Sequence, residues 1–290
     1  MYLSTVTVIV SGAGIVLAHP FKNVAREVAS FPAGASWDIL LNSAAVGNIK
    51  KISDQSFSII DIDLFDTDSQ TIADLKSTKT VICYFSAGTR EEWRPDAGDF
   101  KSGDVGKNME EWAGEAWLNV KSDSVRKIMQ NRIKQAADKG CQAIDPDNTD
   151  GFGGNQDGFG YGKAVYVDYL RFLAQEAKSN GLAIGLKNSL DIIPDLVDVM
   201  SFAINEQCHQ YKECAQYKPF TDQNKAVFNI EYGGNACDNP AGVKLSTLIK
   251  PEDQGMLPKY QTFSQNSKPN VCDRIELPWR RMCWTEPRNA

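Results

Sequence analysis

The sequence predicts a single domain with an α/β fold of the (β/α)8 TIM barrel type. Short apolar runs alternate with segments of helical periodicity, and about eight such runs occur within 290 residues. The runs are continuously apolar, as is typical of parallel strands covered on both faces. A doubly wound open sheet is the main alternative. No Gly-x-Gly-x-x-Gly motif follows the first run, so a dinucleotide site has no support.

The eight apolar runs are the predicted strands, and the last of them has the weakest pattern. They cover residues 37–41, 58–63, 80–85, 141–144, 182–186, 199–204, 226–230 and 243–249. Helical spacing is clearest over residues 122–139, which Gly140 ends. A second helix is predicted over residues 165–179, and a short third over 190–196.

The first 18 residues predict a secretory signal peptide. An uncharged apolar run from Thr5 to Leu17 precedes a small residue, Ala18, at a plausible cleavage site, although the run lacks a preceding Lys or Arg. An uncleaved anchor and a cytosolic first strand are the alternatives. The expected organisation is a signal peptide at 1–18, the barrel at 19–260 and a tail at 261–290 without assigned structure. The expected location is extracellular.

The charge of the chain constrains its partners. A formal net charge of −6 argues against nucleic acid, because phosphate binding needs a basic surface. It is compatible with a neutral or cationic ligand. No second apolar run has membrane-spanning length, and a monomer is expected.

The seven cysteines suit an oxidising compartment. Cys208 and Cys214 are close enough in sequence to close a short loop. Cys83 and Cys141 lie inside apolar runs and are interpreted as buried thiols. Cysteines of the carboxyl-terminal part could supply a second bridge; these are Cys237, Cys272 and Cys283. Only two histidines and no Cys-x-x-Cys occur, so no metal site is expected.

Polar side chains directly follow six of the predicted strands. In a barrel, the carboxyl ends of the strands meet on one rim, where catalytic groups gather. One such residue is ordinarily a turn or capping residue, but six strands with the same pattern favour an active site. The polar groups are Asp61, Asp63 and Asp66; Tyr84 to Gly88; Asp145 and Asp147; Lys187 and Asn188; Asn205 and Glu206; Glu231 and Tyr232.

The glycine-rich stretch from Asp145 to Gly162 is predicted to be a long loop between a strand and a helix. It does not match a calcium-binding EF-hand, because Asp150 and Gln156 stand where that loop requires Gly and Glu. Strand and helix patterns continue on both sides of it, which argues against a linker.

Carboxylates and aromatic side chains on one rim fit cleavage of a glycosidic bond. One carboxylate acts as nucleophile or base, and the other protonates the leaving oxygen. The candidates for this pair are Asp145, Asp147, Glu206 and Glu231, and spacing alone does not choose among them. Aromatic residues that could stack on sugar rings are Tyr84, Trp93, Trp112, Trp117, Tyr161 and Tyr232, and core packing is the more common role for each.

Several motifs resemble those of glycoside hydrolase family 114, the endo-α-1,4-polygalactosaminidases related to spherulin-4 proteins. They occur in the order of that family between about residues 36 and 235. The motifs are ICYFSAG at 82–88, WRPD at 93–96, GEAWL at 114–118, PDNTDG at 146–151, GLAIGLKN at 181–188, NEQC at 205–208 and EY at 231–232.

The resemblance implies a barrel fold and cleavage of α-1,4-linked galactosamine polymers without a cofactor. It implies Asp147 as nucleophile and Glu206 as acid/base. An acidic cleft would suit a cationic amino sugar. Lys187 could instead only balance the charge of its neighbours. Residues expected to bind the polysaccharide are Asp63, Tyr84, Trp117, Asp145, Asn148, Lys187, Asn188, Glu231 and Tyr232.

The chain departs from the family pattern at several positions. Asp145 stands where the family usually has Glu, and Asn119 where it usually has Asp. The first strand has Ile39-Leu40-Leu41 in place of Trp-Gln-Leu. These departures keep open two alternatives: a catalytically weak carbohydrate-binding or wall-associated protein, and a glycosidase for another α-linked sugar.

Overall fold

The protein is a nearly closed barrel with a small second sheet above it, as described by a computed structural model. The described residues are 28–41, 56–110, 112–232 and 238–250. The predicted signal peptide and tail lie outside these ranges. So do Cys237, Cys272 and Cys283, and the bridge predicted among them is untested.

Eleven strands form two sheets. They are β1 (Trp37–Leu40), β2 (Ile59–Asp63), β3 (Thr80–Ser86), β4 (Thr89–Glu91), β5 (Val105–Asn108), β6 (Glu115–Leu118), β7 (Ala143–Asp147), β8 (Ala183–Lys187), β9 (Phe202–Glu206), β10 (Val227–Tyr232) and β11 (Leu245–Lys250). The barrel has the parallel order β1-β2-β3-β7-β8-β9-β10-β11. All eight predicted strands are confirmed, including the last.

Contacts between β1 and β11 bring the first and last barrel strands together. The indole nitrogen of Trp37 donates a hydrogen bond to the carbonyl oxygen of Ser246 at 2.8 Å. The Ser246 hydroxyl donates to the carbonyl oxygen of Ala35 at 2.7 Å. Lys250 Nζ lies 2.6 Å from Asp38 Oδ1 in the interior. Side chains therefore join the two strands that complete the barrel.

Helices connect most of the barrel strands. They are α1 (Ser69–Lys76), α2 (Asp123–Lys139), α3 (Lys163–Ser179), α4 (Ile193–Leu196), α5 (Cys208–Tyr211) and α6 (Lys218–Asp222). The predicted helix at 122–139 is confirmed as α2, which ends at Gly140 with φ 98°. Its buried face includes Val125, Met129 and Ile133, which follow the predicted spacing. In the described ranges, each helix is too short or too polar to cross a membrane.

An aromatic cluster fills the amino end of the barrel. The ring of Phe202 lies 4.4 Å from that of Phe31 and 5.7 Å from that of Phe228. Trp37 packs against Phe228 at 4.7 Å. Gly185 makes room for this cluster, because a Cβ atom there would lie 2.4 Å from the Phe202 ring. Aromatic side chains thus fill the amino end of the barrel, and the active site of such a barrel lies at its carboxyl end.

The second sheet is an insertion between β3 and β7 that the apolar pattern of the sequence does not predict. Its three antiparallel strands have the order β4-β6-β5. The amide of Leu118 donates to the carbonyl oxygen of Gly88 at 2.8 Å, so the two ends of the insertion lie side by side. Buried Arg94 joins the insertion to the barrel through Asp63 on β2, at 2.6 and 3.0 Å.

Cys83 and Cys141 form a disulfide, so the interpretation of these residues as separate thiols was wrong. Cys83 lies within β3, and Cys141 lies two residues before its neighbour β7. Their Cα atoms are 6.1 Å apart, within the range that a disulfide spans. Apolar surroundings are common to buried thiols and buried disulfides, so the sequence pattern could not distinguish them.

The Cys83–Cys141 bond is expected to stabilise the fold by about 4 kcal/mol, because it closes a loop of 58 residues in the unfolded chain. We expect the Cys83→Ala/Cys141→Ala variant to lose about this much free energy of unfolding. Denaturant titration of both proteins under non-reducing conditions measures the difference. A loss below about 1 kcal/mol would contradict the loop-closure argument.

Candidate active site

A cleft opens at the carboxyl ends of the barrel strands, and the small sheet forms one of its walls. Its lining combines carboxylates, amides, aromatic rings and a single Lys among the described residues. Eight of the eleven predicted site residues line it: Tyr84, Trp117, Asp147, Asn148, Lys187, Asn188, Glu206 and Tyr232.

Asp147 and Glu206 meet at the ammonium group of Lys187. Asp147 Oδ1 lies 3.3 Å from Lys187 Nζ, and Glu206 Oε2 lies 3.6 Å from it. The three residues end the neighbouring strands β7, β8 and β9, so the strand order itself brings them together. Burial lowers the pKa of Lys187, but attraction to Asp147 and Glu206 outweighs it and raises that pKa well above its ordinary value. Lys187 is therefore a fixed positive charge.

Hydrogen bonds hold the Asp147 carboxylate in place. The Tyr84 hydroxyl donates to Oδ2 at 3.0 Å, and the amide of Asn148 donates to Oδ1 at 2.8 Å. The backbone of Asn148 is left-handed, with φ 59°, and its side chain donates to Ser86 Oγ at 3.0 Å. Gly88 permits this turn, because a Cβ atom there would lie 1.5 Å from the carbonyl oxygen of Asn148.

Glu206 receives two side-chain hydrogen bonds besides its contact with Lys187. The Tyr232 hydroxyl donates to Oε1 at 2.5 Å, and Asn188 Nδ2 donates to Oε2 at 3.4 Å. Asn188 Oδ1 also accepts from the amide of Glu206 at 3.0 Å. Burial raises the pKa of Glu206, but Lys187 and these hydrogen bonds lower it by a larger amount. The net result is a pKa below the ordinary Glu value. The free site thus favours the ionised carboxylate.

Removal of the Tyr232 hydroxyl is expected to raise the pKa of Glu206. A hydrogen bond to a charged group is worth about 1.5 to 3 kcal/mol, so the pKa of Glu206 should rise by about one to two units in Tyr232→Phe. The pKa rises because the Tyr232 hydroxyl stabilises the ionised form of Glu206, and its removal favours the protonated form. Nuclear magnetic resonance titration of 13C-labelled Glu206 measures the shift.

Tyr211→Phe is the matched control for this prediction, because the Tyr211 ring is 61% exposed on α5. It should leave the Glu206 titration in place. An unchanged titration in Tyr232→Phe as well would mean that the Tyr232 hydroxyl does not stabilise the carboxylate.

Three predicted site residues do not line the cleft. Asp63 forms the buried bidentate pair with Arg94 described above. Glu231 accepts hydrogen bonds from the amide of His209 at 2.9 Å and from Asn229 Nδ2 at 3.0 Å. Asp145 is fully buried below the cleft, with Oδ2 3.9 Å from Lys187 Nζ. For these three carboxylates the geometry favours internal roles.

Two other carboxylates, which the prediction omitted, line the cleft. Glu115 lies on β6 and accepts a hydrogen bond from the Thr89 hydroxyl at 2.7 Å. Asp150 follows Asp147 in the loop after β7. Burial raises the pKa of Glu115 to about 7 and that of Asp150 to about 6. Both residues lie within family motifs, Glu115 in GEAWL and Asp150 in PDNTDG. Membership of these motifs could therefore have identified them as candidate site residues.

The predicted aromatic residues divide between the cleft and the surrounding structure. Trp117 lies on β6, and Trp112 lies in the loop between β5 and β6. Both line the cleft with Tyr84 and Tyr232. The Tyr161 hydroxyl instead donates to Asn119 Oδ1 at 2.9 Å, away from the cleft lining. The aromatic wall therefore depends on an insertion that strand patterns did not reveal.

A second hollow adjoins the cleft and shares Asp150 and Asn188 with it. Its other lining residues are Phe152, Ser189, Leu190, Asp191, Glu213 and Gln216. The second hollow is acidic, like the cleft. The two cavities meet at Asp150 and Asn188.

The stretch 145–162 begins with the end of β7, up to Asp147, and continues as the predicted loop to α3. It contributes Asp147, Asn148, Asp150 and Gln156 to the cleft. The carboxylate of Asp157 folds the loop back on itself by accepting hydrogen bonds from the amide of Phe159 and the hydroxyl of Tyr166. Its aspartates thus have protein partners or face the cleft.

The predicted bond between Cys208 and Cys214 is confirmed. It closes the loop that directly follows Glu206 and contains α5. Asn205 Oδ1 accepts a hydrogen bond from the amide of Cys208 at 3.1 Å, which ties this loop to β9. The disulfide therefore supports the strand end that carries Glu206.

Comparison with known proteins decides the family. The model of the glycoside-hydrolase family GH114 matches residues 19–273. The chain belongs to glycoside-hydrolase family GH114. Its sequence resemblance and barrel fold are thereby confirmed, and it is a glycosidase by family.

Solved structures agree with the GH114 assignment. Aspergillus fumigatus Ega3, crystallised in complex with galactosamine, is 38% identical over 81% of this chain and 98% of its own, with a TM-score of 0.71. The glycoside hydrolase domain of PelA from Pseudomonas aeruginosa is 14% identical over 70% of this chain and 85% of its own, with a TM-score of 0.53, and it supports the fold alone. The search of curated proteins found no match.

Proposed function

We propose that this GH114 protein is a secreted, endo-acting glycosidase that cleaves α-1,4-linked galactosamine polymers. Asp147 and Glu206 are its catalytic pair in this proposal. The observation that carries it is the meeting of both carboxylates at Lys187, inside a cleft of a chain 38% identical to Ega3. The Ega3 crystal structure contains galactosamine, which motivates the choice of sugar.

The proposed chemistry uses the two carboxylates in different roles. Asp147 acts as nucleophile, since Tyr84 and the Asn148 amide hold its oxygens in fixed positions. Glu206 protonates the leaving oxygen and then acts as base towards water. A bound sugar displaces water from Glu206, which raises its pKa and counteracts Lys187 during the first step.

The charge of the cleft supports a cationic substrate. Glu115 and Asp150 line it, and among the described residues neither forms an ion pair with a Lys or Arg. Lys187 is already shared by Asp147 and Glu206. An ammonium group on the sugar would favour the ionised forms of Glu115 and Asp150, whose pKa values burial raises. A free amino sugar therefore suits these carboxylates better than a neutral acetamide does.

The shape of the site supports attack within a chain. The cleft continues across Asp150 and Asn188 into the second hollow, so sugar rings can occupy both sides of the scissile bond. The two disulfides and the predicted signal peptide support secretion, because disulfides persist in oxidising compartments.

The second candidate is a carbohydrate-binding protein with weak or no catalysis. The departures at Asp145 and Asn119 favour it, although neither residue lines the cleft. The two candidates differ in turnover, since a binding protein would hold a polymer without shortening it.

Product analysis of partly deacetylated α-1,4-galactosaminan tests the proposal. We expect a range of oligosaccharides early in the reaction, with little monosaccharide, when chain length is followed by mass spectrometry. Monosaccharide as the first and main product would contradict endo action. No shortening, with bound polymer detected by calorimetry, would favour the binding protein.

A further inference from the structure

The barrel interior holds two carboxyl groups that the proposed chemistry does not use. Asp61 on β2 and Asp145 on β7 are both fully buried below the cleft. Their carboxyl groups are close enough in the barrel interior for the charge of Asp145 to raise the pKa of Asp61. None of their four carboxyl oxygens accepts a hydrogen bond from a donor among the described residues. Two carboxylates only accept hydrogen bonds, so this proximity is favourable only with a proton between them.

We propose that Asp61 and Asp145 hold one proton between them and together position the Lys187 ammonium beneath Asp147 and Glu206. The pair consists of positioning residues, because neither carboxyl group lines the cleft. Its role in catalysis rests on the proposed function, whereas its shared proton does not.

The surroundings of the pair favour a retained proton. Burial raises the pKa of Asp61 well above its ordinary value, and repulsion from Asp145 adds to the effect. Burial also raises the pKa of Asp145, to about 7, although Lys187 opposes this. The charged and titratable groups that interact with the pair are Lys187 from β8, Asp147 from β7 and Glu206 from β9.

The shared proton limits the negative charge below Lys187. Its ammonium lies 3.9 Å from Asp145, against 3.3 Å from Asp147 and 3.6 Å from Glu206. A fully ionised pair would present a second negative charge and draw the ammonium down into the barrel. With one proton retained, the ammonium stays close to Asp147 and Glu206, where it stabilises both carboxylates.

Proton linkage of unfolding tests the shared proton without any substrate. At pH about 5 to 7 the unfolded chain has released this proton and the folded chain has not, so stability falls as pH rises. Asp61→Asn replaces the neutral carboxyl with an amide that needs no proton. The folding equilibrium constant of the wild type should therefore fall by up to about tenfold per pH unit relative to that variant.

Denaturant titrations with intact disulfides measure these constants. Asp74→Asn, at an exposed position on α1, is the control and should follow the wild type. Equal pH slopes for the wild type and Asp61→Asn would overturn the proposal, because a purely structural role lowers stability equally at every pH.

Infrared spectroscopy of the wild type covers the case in which Asp61→Asn does not fold. Protein labelled with 13C at aspartate carboxyl groups should retain the carbonyl band of a protonated carboxyl at pH about 8, about two units above the pKa of Asp150. Absence of this band would overturn the shared proton.

The titration of Glu206 tests the positioning role. Asp61→Asn leaves one charge below Lys187, whereas Asp61→Asn/Asp145→Asn leaves none, so Lys187 acts more strongly on Glu206. The titration of 13C-labelled Glu206 should then move to lower pH in the double variant only. Identical titrations in both variants would overturn the role. This measurement needs no turnover. If hydrolysis is absent while the titrations are as expected, the proposed function fails and the positioning role stands.

Discussion

Glu206→Gln is expected to lower kcat for galactosaminan hydrolysis by about a thousandfold. A positioned acid or base contributes about 10² to 10⁴ to the rate, and the amide can neither give nor accept the proton. Its shape is nearly unchanged, so the hydrogen-bonding neighbours Asn188 and Tyr232 remain in reach. Polymer chain length, followed by mass spectrometry over time, measures the loss.

The two catalytic roles can be separated with an aryl galactosaminide oligomer whose leaving group needs no proton. Glu206→Gln should retain part of its activity on this substrate, because only the acid step is bypassed. Asp147→Asn should lose activity on both substrates. Asp138→Asn, at an exposed ion pair on α2, is the control and should behave as the wild type. Equal losses for the two catalytic variants on the aryl substrate would contradict the assignment.

Lys187→Met is expected to destabilise the fold by about 3 to 5 kcal/mol at neutral pH, because it leaves buried carboxylates without their cation. The Lys187 side chain is only 5% exposed and contacts Asp145, Asp147 and Glu206. Lys134→Met, at an exposed position on α2, removes the same charge and is expected to cost about 0 to 1 kcal/mol. Denaturant titration of both variants at pH 7 measures the difference.

The loss in Lys187→Met should depend on pH. In the wild type, Lys187 lowers the pKa of Glu206, and the resulting stability is present above the ordinary Glu pKa and is lost as pH falls. In the variant this pKa rises, so the folded state takes up a proton and the deficit shrinks towards pH about 4. A deficit of equal size at pH 4 and pH 7 would indicate lost packing instead of lost charge.

The barrel was predictable because each strand is an apolar run covered on both faces. The predicted ends were less accurate: the runs at 141–144 and 199–204 correspond to β7 (Ala143–Asp147) and β9 (Phe202–Glu206). The last residues of these strands are polar and face the rim, but their backbones still form the hydrogen bonds of the sheet. The apolar run therefore ends before the strand ends. The short strands of the insertion have no long apolar run, and their pattern gave no signal.

The site was predictable where a motif residue directly ends a strand, as for Asp147, Lys187 and Glu206. Sequence could not assign Asp63, Asp145 and Glu231, because a strand-end carboxylate can face the cleft or a protein partner. Asp63 is satisfied by Arg94, which comes from the unpredicted insertion. The aromatic wall was incompletely predicted for the same reason.

The insertion between β3 and β7 enters and leaves the barrel a single hydrogen bond apart, between Gly88 and Leu118. The spacing of the strands that hold Asp147, Lys187 and Glu206 therefore does not depend on the length of the insertion. Trp112, Glu115 and Trp117, which line the cleft from the insertion, are therefore separate in sequence from these three residues. Replacement of the insertion would thus change one wall of the cleft and leave the strand ends that carry Asp147, Lys187 and Glu206 in place.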